Sequence, residues 1–171
     1  MITFLSMKLN IGSYKDYREG WVNLDLYADA DVKADCFQVL PFRNNSFDAL
    51  RLSHVFEHTD QPIEFLRELW RVSRPGALIE IIVPHFNASC AFVEHPRLYG
   101  CRAFQDEFLN AGCDWGGRKK NFTLVKLVWE LGTLQGPLGK IIRGILSWQP
   151  YLIEMFFTFP GQIRATLKVL K

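Results

Sequence analysis

The sequence predicts an α/β fold, and three observations carry that prediction. Residues 47–84, FDALRLSHVFEHTDQPIEFLRELWRVSRPGALIEIIVP, read as strand, turn, helix, turn, strand. Residues 77–83 are an apolar, β-branched run interrupted only by Glu80, the pattern of a strand inside a parallel sheet. Between the two strands, Ile63, Leu66, Leu69, Trp70 and Val72 recur close to helical spacing, with Glu64, Arg67, Glu68 and Arg71 mostly facing away. A strand-helix-strand unit of this size packs with a right-handed crossover. At 171 residues the chain is one domain by length, and its apolar fraction is enough for a real core.

In chain order, residues 7–12, MKLNIG, form a short apolar strand ending in glycine, which allows a tight turn or a close approach to a ligand. The second strand is 21–26, WVNLDL. Only eight residues, 13–20, separate it from Gly12, where a parallel crossover usually needs a dozen or more. The first helix is therefore expected to be cut to about one turn. Asp29-Ala30-Asp31 makes a polar turn into a brief third strand, 32–36, and Asn44-Asn45-Ser46 turns the chain into the fourth, 47–53, with Ser53-His54 at its polar tip. The helix over 61–73 takes Asp60 as N-cap and Pro62 in its first turn, and Pro75-Gly76 stops it. A helix is expected over 102–110, a polar loop with a basic triplet over 114–120, a sixth strand over 121–131 and a last, alternating strand over 162–170. Residues 136–160 carry a heavy apolar load broken by Arg143, Pro150 and Glu154, so they are not an uninterrupted membrane span. Four readings stay open for them: helices packed over the sheet, a lid over an apolar substrate, a dimer interface, or a helix lying on a membrane surface.

The stretch FDALRLSHVFEH, then a helix, then RPGALIEIIVP, resembles the second half of a class I S-adenosylmethionine (SAM) dependent methyltransferase domain. Residues 20–25, Leu40-Pro41-Phe42 and 54–58 are similar, more narrowly, to small predicted methyltransferases associated with surface-polysaccharide biosynthesis. The resemblance implies a Rossmann-like class I methyltransferase sheet of strand order 3-2-1-4-5-7-6 with the last strand antiparallel. It also implies shortened N-terminal helices, an apolar helical insertion before the last strand, a cofactor half over 7–85 and a substrate-side half over 86–171.

Within that frame Gly12 lets the backbone approach the methionine part of SAM, although Tyr14 stands where a second glycine is expected. Asp25, near the end of the second strand, can accept hydrogen bonds from ribose hydroxyls, as acidic residues do in dinucleotide-binding folds. By resemblance Asp35 bonds the adenine amine, with the Cys36 backbone at the ring edge and Leu40-Pro41-Phe42 as an apolar wall. Ser53 and His54 stand beside the cofactor, and the pair Glu57-His58 shapes the turn that closes over it.

His85 and His95 are the candidate general bases, since an imidazole titrating near neutrality can take a proton from a substrate hydroxyl. Transfer from a sulfonium otherwise needs mainly alignment. The expected function is methyl transfer to a small-molecule, glycan or glycolipid acceptor at oxygen, in the cytoplasm, with homodimer or peripheral membrane contact through 136–160. The alternative is a non-catalytic module of the same fold, favoured by the missing glycine and short crossover and opposed by Asp25 and Asp35. No metal is expected, because His54 and His58, four apart, lack further ligands at telling spacing. A net charge of +2 with both signs interspersed gives no reason to expect nucleic acid. Cys36, Cys90, Cys101 and Cys113 form no CxxC pair and read as reduced thiols. The first residues lack a basic n-region and a long apolar core, so no signal peptide is expected, and Met7 is a candidate start.

Overall fold

A computed structural model describes residues 6–86, 95–104, 121–130 and 161–171, together with 141 and 144 singly. Seven strands form one sheet: β1 (Lys8–Ile11), β2 (Val22–Asp25), β3 (Val32–Lys33), β4 (Phe47–Ser53), β5 (Ser73–Pro84), β6 (Phe122–Glu130) and β7 (Gln162–Val169). Their order is β3-β2-β1-β4-β5-β7-β6. Neighbours from β3 to β5 pair in parallel, and β7 runs antiparallel to both β5 and β6. The expected sheet is therefore the observed one. A 3-10 turn (Phe56–His58) and an eleven-residue helix, α1 (Pro62–Val72), connect β4 to β5.

Local details depart from expectation for identifiable reasons. Asp60 does not cap α1: Gln61 is the N-cap without a side-chain bond, and the Gln61 amide is bonded by Thr59 Oγ1 at 3.1 Å. The helix stops at Ser73, not at Pro75-Gly76, because both the Ser73 amide and its hydroxyl (2.7 Å) donate to the Leu69 carbonyl. Pro75 and Gly76 lie instead within β5, where the register to β4 slips between Phe47↔Ser73 and Ala49↔Leu78 and Gly76 takes φ +80°. The third strand is two residues long, so Asp35 and Cys36 follow it on a turn.

The crossover from β1 to β2 contains no helix at all, only two turns. Buried side-chain amides hold it. Asn23 Nδ2 donates to the carbonyls of Arg18 (3.0 Å) and Trp21 (3.2 Å) and to Asp31 Oδ2 (3.0 Å). Asn23 Oδ1 accepts from the Arg18 amide (2.9 Å) and from Asn10 Nδ2 (3.1 Å), which also reaches the Asp16 carbonyl (2.6 Å).

The sheet has two unlike faces. On one, Leu9, Ile11, Leu50, Leu52, Ile79, Ile81 and Ile163 are fully buried with Phe65, Leu66 and Leu69 of α1, the core of the domain. On the other, in register Asn10↔Arg51↔Glu80, polar side chains join across the strands. Arg51 links Asp16 (3.3 Å) to Glu80, Glu80 binds Arg164 (2.8 Å), and Arg164 binds Glu130 (2.6 Å). Burial pushes the Glu80 carboxyl up, but Arg164 and Arg51 outweigh it and hold the group below the ordinary carboxylate range. Glu80, the one interruption in the apolar run of β5, is thus a member of this ladder.

Of the segments expected beyond β5, Ala103 and Phe104 are helical, but the rest of 105–110, the loop over 114–120 and, except for helical 141 and 144, the insertion over 136–160 lie outside the described residues. Among the described residues no helix is long and apolar enough to cross a membrane.

The loop leaving β3 is clamped to α1 by one ion pair. Arg71 bonds Glu68 at 2.5 Å, the carbonyls of Leu40 (3.0 Å) and Phe42 (2.8 Å) and Asn44 Oδ1 (2.9 Å), while Glu68 Oε1 accepts the Leu40 amide at 2.7 Å. Replacing Arg71 by Ala is expected to cost about 1.5–3 kcal/mol in urea unfolding, the range for hydrogen bonds to charged groups. Arg71 holds the Glu68 carboxyl below its ordinary value. That stability is present above the unfolded carboxylate pKa and is lost as pH falls through the lower folded value. The acid limb of the stability profile should flatten in Arg71→Ala; an unchanged limb would contradict the clamp.

Candidate functional site

A cavity of about 490 Å³ opens at the carboxyl ends of β1, β2 and β4 and beside the turn after β3. Carboxyl ends of parallel strands are where open α/β sheets place ligands, and the volume lies within the range of small-molecule sites. Its lining includes Gly12, Tyr14, Asp25, Asp35, Cys36, Phe37, His54 and His58.

Gly12 closes β1 with φ +64° and donates its amide to the Leu24 carbonyl at 2.8 Å. A Cβ there would stand 2.4 Å from Val55 Cγ2, so both conformation and space require glycine. Tyr14, at the position of the missing second glycine, keeps a glycine-like backbone: its φ is +34°, and its amide donates to Asp25 Oδ2 at 2.8 Å. The tyrosine side chain is turned outward, 63% exposed.

Asp25 ends β2 and is buried. Its Oδ1 accepts the amides of Tyr27 and Ala28, each at 2.8 Å. Burial raises its pKa, but the amides of Ala28, Tyr27 and Tyr14 together outweigh burial and hold the carboxyl below its ordinary value. Asp35 is half-buried, with Oδ1 bonded by the Phe37 amide at 2.9 Å. Burial, helped by the neighbouring Asp35 carboxylate, pushes the Cys36 thiol up to about 12, which makes it a neutral wall and not a nucleophile.

His54 follows β4 in the left-handed region, φ +54°. Its Nε2 faces Gln162 Oε1 at 3.0 Å, and its Nδ1 faces Glu57 Oε1 at 3.4 Å. Because Gln162 Nε2 is engaged by Glu130 at 2.6 Å, the Gln162 oxygen must point at His54. Both ring nitrogens therefore meet acceptors, which favours the imidazolium. The Glu57 carboxylate is the main cause of a raised His54 pKa, with Gln162 adding to it and burial opposing. The polar ladder across the sheet ends, through Glu130 and Gln162, on this ring.

Five of the residues expected around a cofactor, Gly12, Asp25, Asp35, Cys36 and His54, share the cavity; Ser53 closes β4 beside it without lining it. Leu40-Pro41-Phe42 does not form a wall. Leu40 is 2% exposed and belongs to the core, Phe42 packs edge-on to Phe47 with centroids 4.9 Å apart, and Phe37 takes the apolar position instead. The two histidines expected as bases part company. His85 is completely buried and stacked on Trp129, with centroids 4.3 Å apart, and does not line the cavity. His95 meets His58 edge-on at 4.7 Å, one ring removed from the cavity. Asn10, Asn23 and Phe37 went unassigned in sequence; Phe37, an aromatic directly after Asp35-Cys36, was the most legible of them.

These backbone angles lead to opposite expectations at neighbouring positions. Gly12→Ala should lower stability by about 1–3 kcal/mol, combining left-handed strain with the contact to Val55. Tyr14→Gly relieves about 1–2 kcal/mol of strain and adds about 0.5–1 kcal/mol of unfolded-chain entropy, so it should match or exceed the parent. Denaturant titration of both variants decides; a Gly12→Ala protein as stable as the parent would overturn the assignment.

Residues 16–81 match the family described as "Methyltransferase domain". Demethylmenaquinone methyltransferase of Renibacterium salmoninarum is 32% identical over 81 residues, which are 47% of this chain and 30% of that protein. The chain thus spans less than a third of the length of that curated relative. A SAM-dependent methyltransferase from Archaeoglobus fulgidus superposes with TM-score 0.61 at 13% identity, covering 95% of this chain and 86% of the other. The [4+2]-cyclase SpnF superposes with TM-score 0.63, also at 13% identity, covering 96% and 75%. Residues 16–81 therefore match a methyltransferase domain, and the sheet that carries them has the Rossmann-like class I methyltransferase fold.

Proposed function

We propose that this chain is a SAM-dependent methyltransferase acting on a small-molecule acceptor, with an oxygen nucleophile of a glycan or glycolipid as the substrate class. The observation that carries the reading is the convergence of Gly12, Asp25 and Asp35 on one cavity of about 490 Å³ at the carboxyl edge of the sheet. Fold alone does not carry it, since the same architecture serves a cyclase.

The residues present fit the cofactor. An ionised carboxylate has about four acceptor sites. Asp25 uses three for backbone amides, which hold the side chain rigid and leave Oδ2 room for a ribose hydroxyl. Asp35 has one oxygen engaged by Phe37 and the other available to the adenine amine. Cys36 and Phe37 supply neutral and aromatic surface for the ring. The sulfonium brings an activated methyl group, and the chain's own contribution is to bind, orient and exclude water, which suffices when the nucleophile is aligned.

The non-catalytic reading rests on the missing glycine and the short crossover; the left-handed backbone of Tyr14 weakens the first ground, because the turn is kept without the residue, while the helix-free crossover leaves the second in place. The proposal includes a cytoplasmic location, where four scattered cysteines without a CxxC pair stay reduced. The link to surface polysaccharide rests on resemblance, and contacts through 136–160 remain part of the proposal.

Calorimetric titration with SAM and with S-adenosylhomocysteine tests the reading. One saturable site is expected in the parent. Asp35→Ala should weaken it about tenfold, the equivalent of about 1.4 kcal/mol, with an unchanged melting temperature. Asp25 is the poorer probe, because its removal frees three backbone amides. Absence of binding by either ligand at millimolar concentration would overturn the proposal. Binding would direct labelled methyl-transfer assays to glycan and glycolipid acceptors.

A further inference from the structure

Beside the cavity, Glu57, His58 and His95 bring a carboxylate and two imidazoles together, with one donor atom from each lying within 4.8 Å of the others. Glu57 and His58 come from the 3-10 turn after β4. His95 arrives from the chain beyond β5, in a segment tied back by the His85↔Tyr99 bridge and by the Phe86 amide on the Tyr99 carbonyl at 2.9 Å.

Glu57 supplies an independent reason to look for a ligand. It is 1% exposed, and neither carboxylate oxygen has a hydrogen-bond partner among the described residues. The His54 ring offsets this only in part: its Nδ1 stands 3.4 Å from Oε1, and Oε2 has no ion pair among the described residues. A buried carboxylate in that condition costs several kcal/mol unless a cation offsets it.

We propose that Glu57, His58 and His95 bind one divalent ion of the zinc class. Two imidazole nitrogens and one carboxylate oxygen suit a borderline metal, and three protein ligands leave a coordination position open. Donors on one tetrahedral zinc stand roughly 3.3–3.5 Å apart, so the present spacing closes by side-chain rotation. His58 also lines the cofactor cavity, so the ion would lie at its wall and tie the 3-10 turn to the His95 segment. The inference does not depend on methyl transfer, because the metal is measured directly.

The full chain, stripped with chelator, is titrated calorimetrically with Zn²⁺ and followed in parallel by Co²⁺ absorbance. One ion per chain is expected, with a raised melting temperature and with affinity at least about tenfold weaker in His95→Gln and in Glu57→Gln. His95→Gln stands alone as a test should Glu57→Gln fail to fold, and it separates this site from adventitious thiol binding. Absence of saturable binding, or stoichiometric binding unchanged in His95→Gln, would overturn the proposal. Loss of SAM binding with zinc binding intact would count against the methyltransferase reading alone.

Discussion

Two parallel strands cannot lie side by side unless the chain returns from the end of one to the start of the next. Here β1 and β2 are joined by a segment too short for a crossover helix. The return is held by the buried amide of Asn23, which bonds Arg18 through both its carbonyl and its amide and also reaches Asn10 and Asp31. These bonds satisfy backbone groups that a helix would have satisfied internally. Everything at the ligand edge depends on that return, because the same loop delivers Gly12 and Tyr14 and places the Tyr14 amide on Asp25.

Asp25 consequently has two functions that pull in the same direction. Its carboxylate is a structural acceptor, fixing the loop after β1 and the turn after β2, and it is the acidic group exposed to the cavity. The three amides keep it ionised despite burial. The polar face of the sheet works similarly at longer range. From Asp16 through Arg51, Glu80, Arg164, Glu130 and Gln162, each side chain constrains the next, and the last sets the orientation of His54.

The fold was legible because its signals are periodic and local. The alternation of β4, the apolar run of β5 and the helical spacing of α1 each reflect burial on a known face, and burial is what composition records. Boundaries were less legible. Asp60 looked like a cap, but the Gln61 amide found Thr59, and the helix ended on the Ser73 hydroxyl. Of the site, Gly12, Asp25 and His54 followed from position at strand ends and Asp35 and Cys36 from the resemblance, and all five line the cavity. His85 stood at a strand end too, yet β5 delivers it into the core against Trp129; a strand end specifies the edge of the sheet and not the face. Asn23, Tyr14 and the Glu57-His58-His95 group could not be read in advance, because each depends on contacts between segments or on a backbone angle that residue identity does not encode.

The helix-free return after β1 also decides the sign of the field at the ligand edge. Rossmann-type units that bind dinucleotides aim a helix N-terminus, worth about half a positive charge, at a pyrophosphate. In this chain that position is taken by turns, and among the described residues the carboxylates lining the cavity are Asp25 and Asp35, with Glu57 behind the His54 ring. A site built in this way repels phosphates and attracts cations. It would therefore reject a nicotinamide or flavin dinucleotide of similar adenosine shape while favouring an adenosine ligand that carries its positive charge on sulfur.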